Sequence, residues 1–194
     1  MSFLRILLVI LVVSFVAPAL VFAQFPIPTT RSLEDNTPAE IRELVSRYCR
    51  LDYEGARLDS QAWQKLEPSV WWKSNPKYTQ IDVVARYAVD MPAAVNRGKT
   101  SVTVHYRLLG IFDVATGYVP ESPVADQDVD FQMSSDNSEW RIADVENTAP
   151  HPSRAAMLKW LSQSIAASQD AAAKERYESA LKQLQAQSAS PFAK

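Results

Sequence analysis

The spacing of apolar residues along the chain changes near residue 78. Before that point apolar side chains recur every three or four residues, which is typical of a helix that buries one face. Between residues 78 and 145, apolar residues alternate with polar residues in several segments, which is the pattern of strands with one buried face. Beyond residue 150 the helical spacing returns. The pattern therefore predicts helices on both sides of an antiparallel sheet, an α+β fold.

The first helix is predicted to begin at Thr37, where Thr37, Pro38 and Glu40 form a capping box. Gly55 is expected to end it in the left-handed conformation. A shorter helix is predicted over about residues 60–67, ending before Pro68. The inward face of the first helix is predicted to carry Ile41, Leu44, Val45, Tyr48 and Asp52.

Alternation predicts four strands, over residues 80–90, 101–108, 128–133 and 140–145. The expected sheet is curved and covered on one side by the N-terminal helices. The long 113–126 loop is rich in turn residues, so it is expected to be either functional or disordered. The inward face of the first strand is predicted to consist of the odd positions Ile81, Val83, Ala85, Tyr87 and Val89.

Two helices are predicted after Pro150, and Ser153 is expected to cap the first. The second carries a narrow apolar seam of Tyr177, Leu181 and Leu184. That seam is expected to dock on the domain, because two heptads are too few to hold a coiled coil with another chain. Residues 188–194 are predicted to be a flexible tail.

The first 23 residues have the features of a signal peptide. A short basic start precedes an uncharged apolar run, and the small residues Val21 and Ala23 precede a cleavage point that would leave Gln24 first. Residues 24–36 are then expected to be a linker. The alternative is that residues 6–22 are retained as a membrane anchor.

Composition excludes several classes of protein. The chain has 194 residues with 20 basic and 22 acidic side chains, and cleavage would remove only Arg5 among them, leaving a charge of −3. A charge so near neutrality argues against nucleic acid or anionic membrane as a partner. Cys49 is the single cysteine, so no internal disulfide is expected, and the length suits one domain.

The segments "YCRLDYEGARL" and "WRIADVE" resemble the first-helix corner and the terminal strand of exported members of the NTF2-like (cystatin-like α+β, SnoaL-like) superfamily. The resemblance covers about residues 37–146 and implies an NTF2-like domain over residues 37–148, with a helical extension over 149–187. It also implies a bacterial source. The superfamily includes isomerases, cyclases and dehydratases as well as many non-catalytic proteins, so fold alone does not assign an activity.

Two acids are candidates for proton-transfer chemistry. Asp52 lies on the inward face of the first helix, where a carboxylate could act as a pocket base, or could accept hydrogen bonds from backbone N–H groups or Arg57. The latter, structural role is the preferred interpretation. Strict alternation from Ile142 would point Asp144 inward, whereas a bulge would turn it to water.

The aromatic residues are candidates for a ligand-binding cavity or for the core. The ligand-binding candidates are Tyr48, Trp63, Trp72, Tyr87 and Tyr106. Cys49 is interpreted as a small core residue and both His105 and His151 as surface residues. No metal site and no cofactor motif is recognised.

The leading hypothesis is an exported, non-catalytic module of the cell envelope, periplasmic or secreted, that binds a small apolar molecule or a protein partner. One alternative is an isomerase-, dehydratase- or cyclase-like enzyme that uses Asp52, with Asp144 or a pocket tyrosine. Another is an assembly component anchored in the inner membrane by residues 6–22, forming a homodimer through the open sheet face.

Overall fold

The fold is α+β, with a five-stranded antiparallel sheet flanked by helices. The computed structural model describes residues 33–121, 123–145 and 149–187. The helical elements are α1 (Leu33–Tyr53), three 3₁₀ turns (Ala56–Leu58, Ala62–Lys65 and Glu67–Ser69), α2 (Arg154–Ala167) and α3 (Ala171–Ala186). The strands are β1 (Gln80–Val89), β2 (Lys99–Asp113), β3 (Gly117–Pro120), β4 (Asp126–Asp136) and β5 (Glu139–Val145).

The four predicted strands lie side by side in the order β1-β2-β4-β5. At the middle of β2, Tyr106 lies opposite Tyr87 of β1 and opposite Gln127 of β4. The unpredicted strand β3 comes from the 113–126 loop, which folds back onto the end of β2 and pairs Tyr118 with Phe112. Part of that loop is therefore regular structure.

Two helix predictions were wrong in detail. Helix α1 begins at Leu33, so Thr37 does not start it, Pro38 lies inside it, and the predicted linker overlaps its first residues. The remaining linker residues lie outside the described part of the chain. The short helix predicted before Pro68 is a pair of 3₁₀ turns, and the second contains Pro68 near its start, where a missing N–H costs no helical hydrogen bond. Gly55, with φ of 92°, does follow the end of α1.

An irregularity divides β1 between the two faces of the sheet. The pairing with β2 shifts between Val83 and Val84 and again between Val84 and Arg86. Because of these shifts, Ile81 and Val83 pack on one side of the sheet and Tyr87 on the other. The prediction of a single inward face of odd-numbered residues was therefore wrong, and Asp82 faces the same side as Val84.

Each face of the sheet buries its own core. The first core lies against α1 and includes Ile41, Val45, Val104, Phe131 and Ile142. The second lies beneath α2 and α3 and includes Ile81, Phe112, Met157, Leu161 and Leu184. The prediction that only one side of the sheet is covered was wrong. At the end near β3 the other side is covered by α3, whose Leu184 packs in the second core.

Short extended pieces of chain cover both outer strands. Residues 149–153, here named the closing segment, run parallel to β1, and the N–H groups of Asp82 and Val84 donate to Pro150 O and Pro152 O at 2.9 and 3.0 Å. At the other edge, Trp71 N–H donates to Ile142 O of β5 at 3.0 Å. Edge groups that are already paired offer no template for another strand at these positions.

Over the described residues, none of the helices has both the length and the apolar character needed to cross a bilayer. The predicted signal peptide and the alternative anchor of residues 6–22 lie outside the described part of the chain.

We predict that Leu184→Ala destabilises the whole domain by about 2–5 kcal/mol, because it leaves a cavity in the second core. Leu184 is fully buried, whereas the neighbouring Gln183 is exposed, so Gln183→Ala is the matched control and should change stability by less than about 0.5 kcal/mol. Urea unfolding at several protein concentrations measures both. A midpoint that rises with concentration would contradict intramolecular docking of α3.

Candidate functional site

The closing segment places a histidine between two buried aspartates. Asp52 comes from the last turn of α1, Asp82 from β1 and His151 from the closing segment. All three residues are buried, with exposed fractions of 1%, 0% and 2% in that order. His151 Nδ1 lies 3.6 Å from Asp52 Oδ2, and Nε2 lies 3.7 Å from Asp82 Oδ2. Asp52 Oδ2 also accepts a hydrogen bond from the His151 backbone N–H at 3.0 Å. The two carboxylates thus flank the imidazole ring on opposite sides.

Tyr106 of β2 forms the floor beneath the imidazole. The two rings are stacked, with centroids 4.0 Å apart and an interplanar angle of 10°. The Tyr106 hydroxyl lies 3.4 Å from Cys49 Sγ, and burial raises the pKa of Tyr106 well above its ordinary value. Burial also raises the pKa of the Cys49 thiol to about 12. Both groups are therefore neutral at ordinary pH, so the floor of the site carries no negative charge.

Two glutamine amides hold the Asp82 carboxylate in place. Gln80 Nε2 donates to Asp82 Oδ1 at 2.5 Å, and Gln127 Nε2 of β4 donates to Oδ2 at 3.1 Å. Carboxylate oxygens accept hydrogen bonds from amide N–H groups, so each oxygen of Asp82 has a donor. The side chain that faces His151 Nε2 is thus fixed by groups from two strands.

A buried arginine ties the closing segment to the residues that follow α1. Arg57 donates from Nη1 to Ala149 O at 3.0 Å and from Nε to Asn75 Oδ1 at 3.2 Å. Asn75 in turn donates to Arg57 O at 2.7 Å. Burial raises the pKa of Tyr48, and the nearby Arg57 guanidinium opposes that shift. Arg57 therefore brings positive charge to a region that holds two buried carboxylates.

Histidine and aspartate are both side chains that can transfer protons in general acid–base catalysis. Two buried atoms of this cluster, Asp52 Oδ1 and His151 Nε2, have no hydrogen-bond partner among the described groups. The cluster contains the aspartate and histidine of a catalytic dyad, but all three of its members are shut off from solvent. A substrate could reach them only after the closing segment moved.

Asp144 does not join Asp52. A shift in the pairing of β4 and β5 places Gln132 opposite Asp144 but Met133 opposite Ile142, and this bulge turns Val145 inward and Asp144 to solvent. Asp144 Oδ1 accepts its hydrogen bond from the next backbone N–H, that of Val145, at 2.9 Å. The inward orientation expected from strict alternation was wrong, and the bulged alternative is correct.

The five aromatic ligand-binding candidates pack against the core. Tyr48, Trp63 and Tyr106 are buried, whereas Trp72 and Tyr87 are partly buried and contact the same core. The rings of Tyr48 and Phe131 pack edge-on with centroids 5.7 Å apart, and the ring centroids of Tyr87 and Tyr106 are 6.2 Å apart. None of the five lines the surface grooves beside the β1–β2 loop, beneath α2 or along α1.

The β1–β2 loop forms an open groove of about 580 Å³. Thr100 Oγ1 donates to Ala93 O at 2.7 Å, and Asn96 and Lys99 exchange backbone hydrogen bonds around a turn in which Arg97 and Gly98 have positive φ. This turn geometry matches the twist of the flanking strands, so the loop is held in one shape. The groove is lined by Ala93, Ala94, Asn96, Arg97, Lys99, Thr100, Ser101 and Gln132.

A ladder of paired polar side chains follows the groove along β2 and β4, on the face opposite α1. Thr103 donates to Asp130 at 2.7 Å. His105, whose side chain is 43% exposed, hydrogen-bonds to Asp128 at 2.6 Å and to Asp90 at 3.0 Å. The remaining rung of the ladder is the ion pair of Arg107 with Asp126.

The two carboxylates bonded to its ring raise the pKa of His105, Asp128 more than Asp90. The contribution of these bonds to stability is fully present below the unfolded-state pKa and is lost as pH rises through the higher folded value. His105 lies at the surface, as predicted.

The prediction that His151 lies at the surface was wrong, and Asp82 was not recognised as a site residue. One signal for Asp82 was the adjacent pair Val83 and Val84, which breaks the alternation and indicates that both faces of the strand are buried. The signal for His151 was its position between Pro150 and Pro152, which favours an extended chain. Within the described residues, no group of three or more His, Cys, Asp or Glu is arranged to hold a metal.

Comparison of the chain with protein-family models, with curated proteins and with solved structures found no match.

We predict that Asp82→Ala lowers the free energy of unfolding by about 3–5 kcal/mol, because it leaves the buried amides of Gln80 and Gln127 without their acceptor and removes the carboxylate beside His151. Asp144→Ala is the matched control, since that aspartate is exposed, and it should cost less than about 0.5 kcal/mol. Denaturant unfolding of the two variants measures the difference. Equal effects would show that the buried carboxylate does not hold the closing segment.

We predict that Cys49 does not react with a thiol reagent at pH 8 in the native protein. With a pKa of about 12, the fraction of thiolate at that pH is about 10⁻⁴, and the thiol is buried as well. The same protein in denaturant, where the thiol regains its ordinary pKa, should react within minutes and serves as the control. Rapid labelling without denaturant would mean that the site opens readily.

Proposed function

We propose that this chain is an exported, non-catalytic member of the NTF2-like superfamily that binds a protein partner in the bacterial cell envelope. The observation that carries the proposal is the closure of the interior between α1 and the sheet. His151 occupies that interior, stacks on Tyr106 and is flanked by two buried carboxylates. A domain that fills its interior with its own side chains interacts with other molecules through its surface.

The helix before the sheet and the Trp140-Arg141-Ile142 sequence in the last strand support membership of the superfamily. The apolar leader at the start of the sequence supports export. The polar ladder on β2 and β4 argues against an obligate homodimer through this face. Obligate interfaces are more apolar, and burying these paired charges would cost desolvation energy.

The groove beside the β1–β2 loop is the surface that best suits a protein partner. Two exposed apolar residues, Met91 and Val95, lie on the loop, while Lys99, Ser101 and Gln132 extend the groove towards the polar ladder. Apolar anchors beside a polar rim are the usual composition of a protein interface. The pinned loop also lowers the entropy that would be lost on binding.

The proposal predicts that a photo-reactive amino acid at Gln132, in the groove, yields one discrete cross-linked adduct in cells that naturally make the protein. The same group at the exposed Lys174 of α3 should yield none. Val95→Asp should reduce the Gln132 adduct at least tenfold by placing a charge on an apolar anchor. Val114→Asp is the matched control, since Val114 is 38% exposed and Val95 41%, and it should leave the adduct unchanged.

Two outcomes would contradict this function. Absence of an adduct at Gln132 would exclude a partner in the groove. A small apolar molecule that co-purifies with the protein in native mass spectrometry would favour the ligand-binding hypothesis instead.

An acid–base enzyme is the second candidate, because Asp52, His151 and Asp82 form a dyad-like cluster in which Asp52 Oδ1 and His151 Nε2 are unpartnered. In that case Asp52→Asn should abolish turnover of a carbonyl substrate while unfolding stays cooperative. Loss of folding in that variant would assign Asp52 to the scaffold.

A further inference from the structure

We infer that the space between Asp52 and Asp82, above the ring of Tyr106, is a binding slot for a planar aromatic cation of the imidazolium type, and that this chain fills the slot with its own His151. The slot is defined by those three residues.

The arrangement of acceptors matches an imidazolium ion. In the charged ring both nitrogens carry a proton, whereas in the neutral ring one of them does not. Here each nitrogen faces a different carboxylate, at 3.6 Å on the Asp52 side and 3.7 Å on the Asp82 side. Both separations are longer than a hydrogen bond, so the carboxylates act on an occupant of the slot through their charge, and a carboxylate on each side favours a cation.

The floor of the slot selects for a flat ring. Tyr106 is fully buried beneath His151, and the two planes are only 10° from parallel at 4.0 Å. The electron-rich face of a phenol attracts a cation placed above it. Because the slot excludes water, this attraction is screened less than it would be at the surface.

The walls of the slot are built by parts of the chain other than the closing segment. Asp82 is held by Gln80 and by Gln127 of β4, and Tyr106 lies in the central strand with its hydroxyl beside Cys49. Asp52 belongs to the last turn of α1. The one support that His151 gives is its backbone N–H, which donates to Asp52 and is kept in any side-chain variant, so the walls are expected to persist when the side chain is removed.

The backbone of the closing segment has its own anchors. Pro150 O and Pro152 O accept from β1, the Ser153 N–H donates to Tyr53 O at 2.8 Å, and Ala149 O accepts from Arg57. Shortening the side chain at position 151 therefore vacates the slot without detaching the segment.

The experiment is imidazole rescue of His151→Gly at neutral pH. We expect this variant to be less stable than the wild-type protein and to regain stability saturably with added imidazole. At an imidazole concentration ten times its dissociation constant, the ratio of folded to unfolded protein should rise about tenfold. Pyrrole, a ring of the same size that does not become a cation near neutrality, should have no such effect.

The wild-type protein is the control for general effects of imidazole. In the wild-type protein the ring of His151 already fills the slot, and because it is tethered its effective concentration exceeds that of millimolar free imidazole. The unfolding midpoint of the wild-type protein should therefore stay unchanged. Equal rescue of His151→Gly by pyrrole and imidazole, or rescue by neither, would overturn the inference.

His151→Phe keeps the proposal testable should the glycine variant not fold. Phenylalanine retains a flat ring above Tyr106 but presents no N–H group to the carboxylates. We expect the ratio of folded to unfolded protein to fall at least tenfold relative to wild type, and a Phe variant as stable as the wild type would overturn the inference. The outcome does not depend on whether the protein binds a partner through its groove.

Discussion

The burial of His151 between two carboxylates is the interaction on which the arrangement of this protein depends. It joins three parts of the chain that are distant in sequence: the end of α1, the edge strand β1 and the segment that leads into α2. Buried carboxylates are costly unless their charge is offset and their oxygens are hydrogen-bonded. Here the backbone N–H of His151, the amides of Gln80 and Gln127, and the nearby Arg57 share that requirement. The cluster therefore fixes the path of the chain between the sheet and the C-terminal helices.

The same segment protects the sheet. Edge strands expose unpaired backbone groups that invite pairing with another chain. Residues 150 and 152 are prolines, which cannot donate a backbone hydrogen bond, yet their carbonyls accept from Asp82 and Val84. A Pro-flanked extended segment is well suited to this role because it satisfies the edge while presenting few donors of its own. The segment then continues into α2, which brings α3 over the second core.

Because the interior is closed, the proposed function is assigned to the surface of the domain. The central aromatic residues contact one another, and the buried acids are engaged in holding the closing segment. The β1–β2 loop, by contrast, is pinned by Thr100 and places exposed apolar residues beside a polar sheet face. The centre of the domain nevertheless retains chemical selectivity, since the space above the Tyr106 ring, with a carboxylate on each side, favours a planar cation.

The sequence by itself determined the α+β class, the position of all four long strands, the end of α1 near Gly55 and the two C-terminal helices. These features follow from local periodicity and from turn and cap residues, which act within a few positions of the chain. The tertiary structure decided which residues form the site. Irregular pairing in β1 turned Asp82 towards α1, a bulge in β5 turned Asp144 to solvent, and packing against Tyr106 buried His151. Strand register depends on the whole sheet, and so do contacts between residues far apart in sequence, such as Asp52 and His151, which are 99 positions apart. Neither leaves a periodic pattern in the sequence.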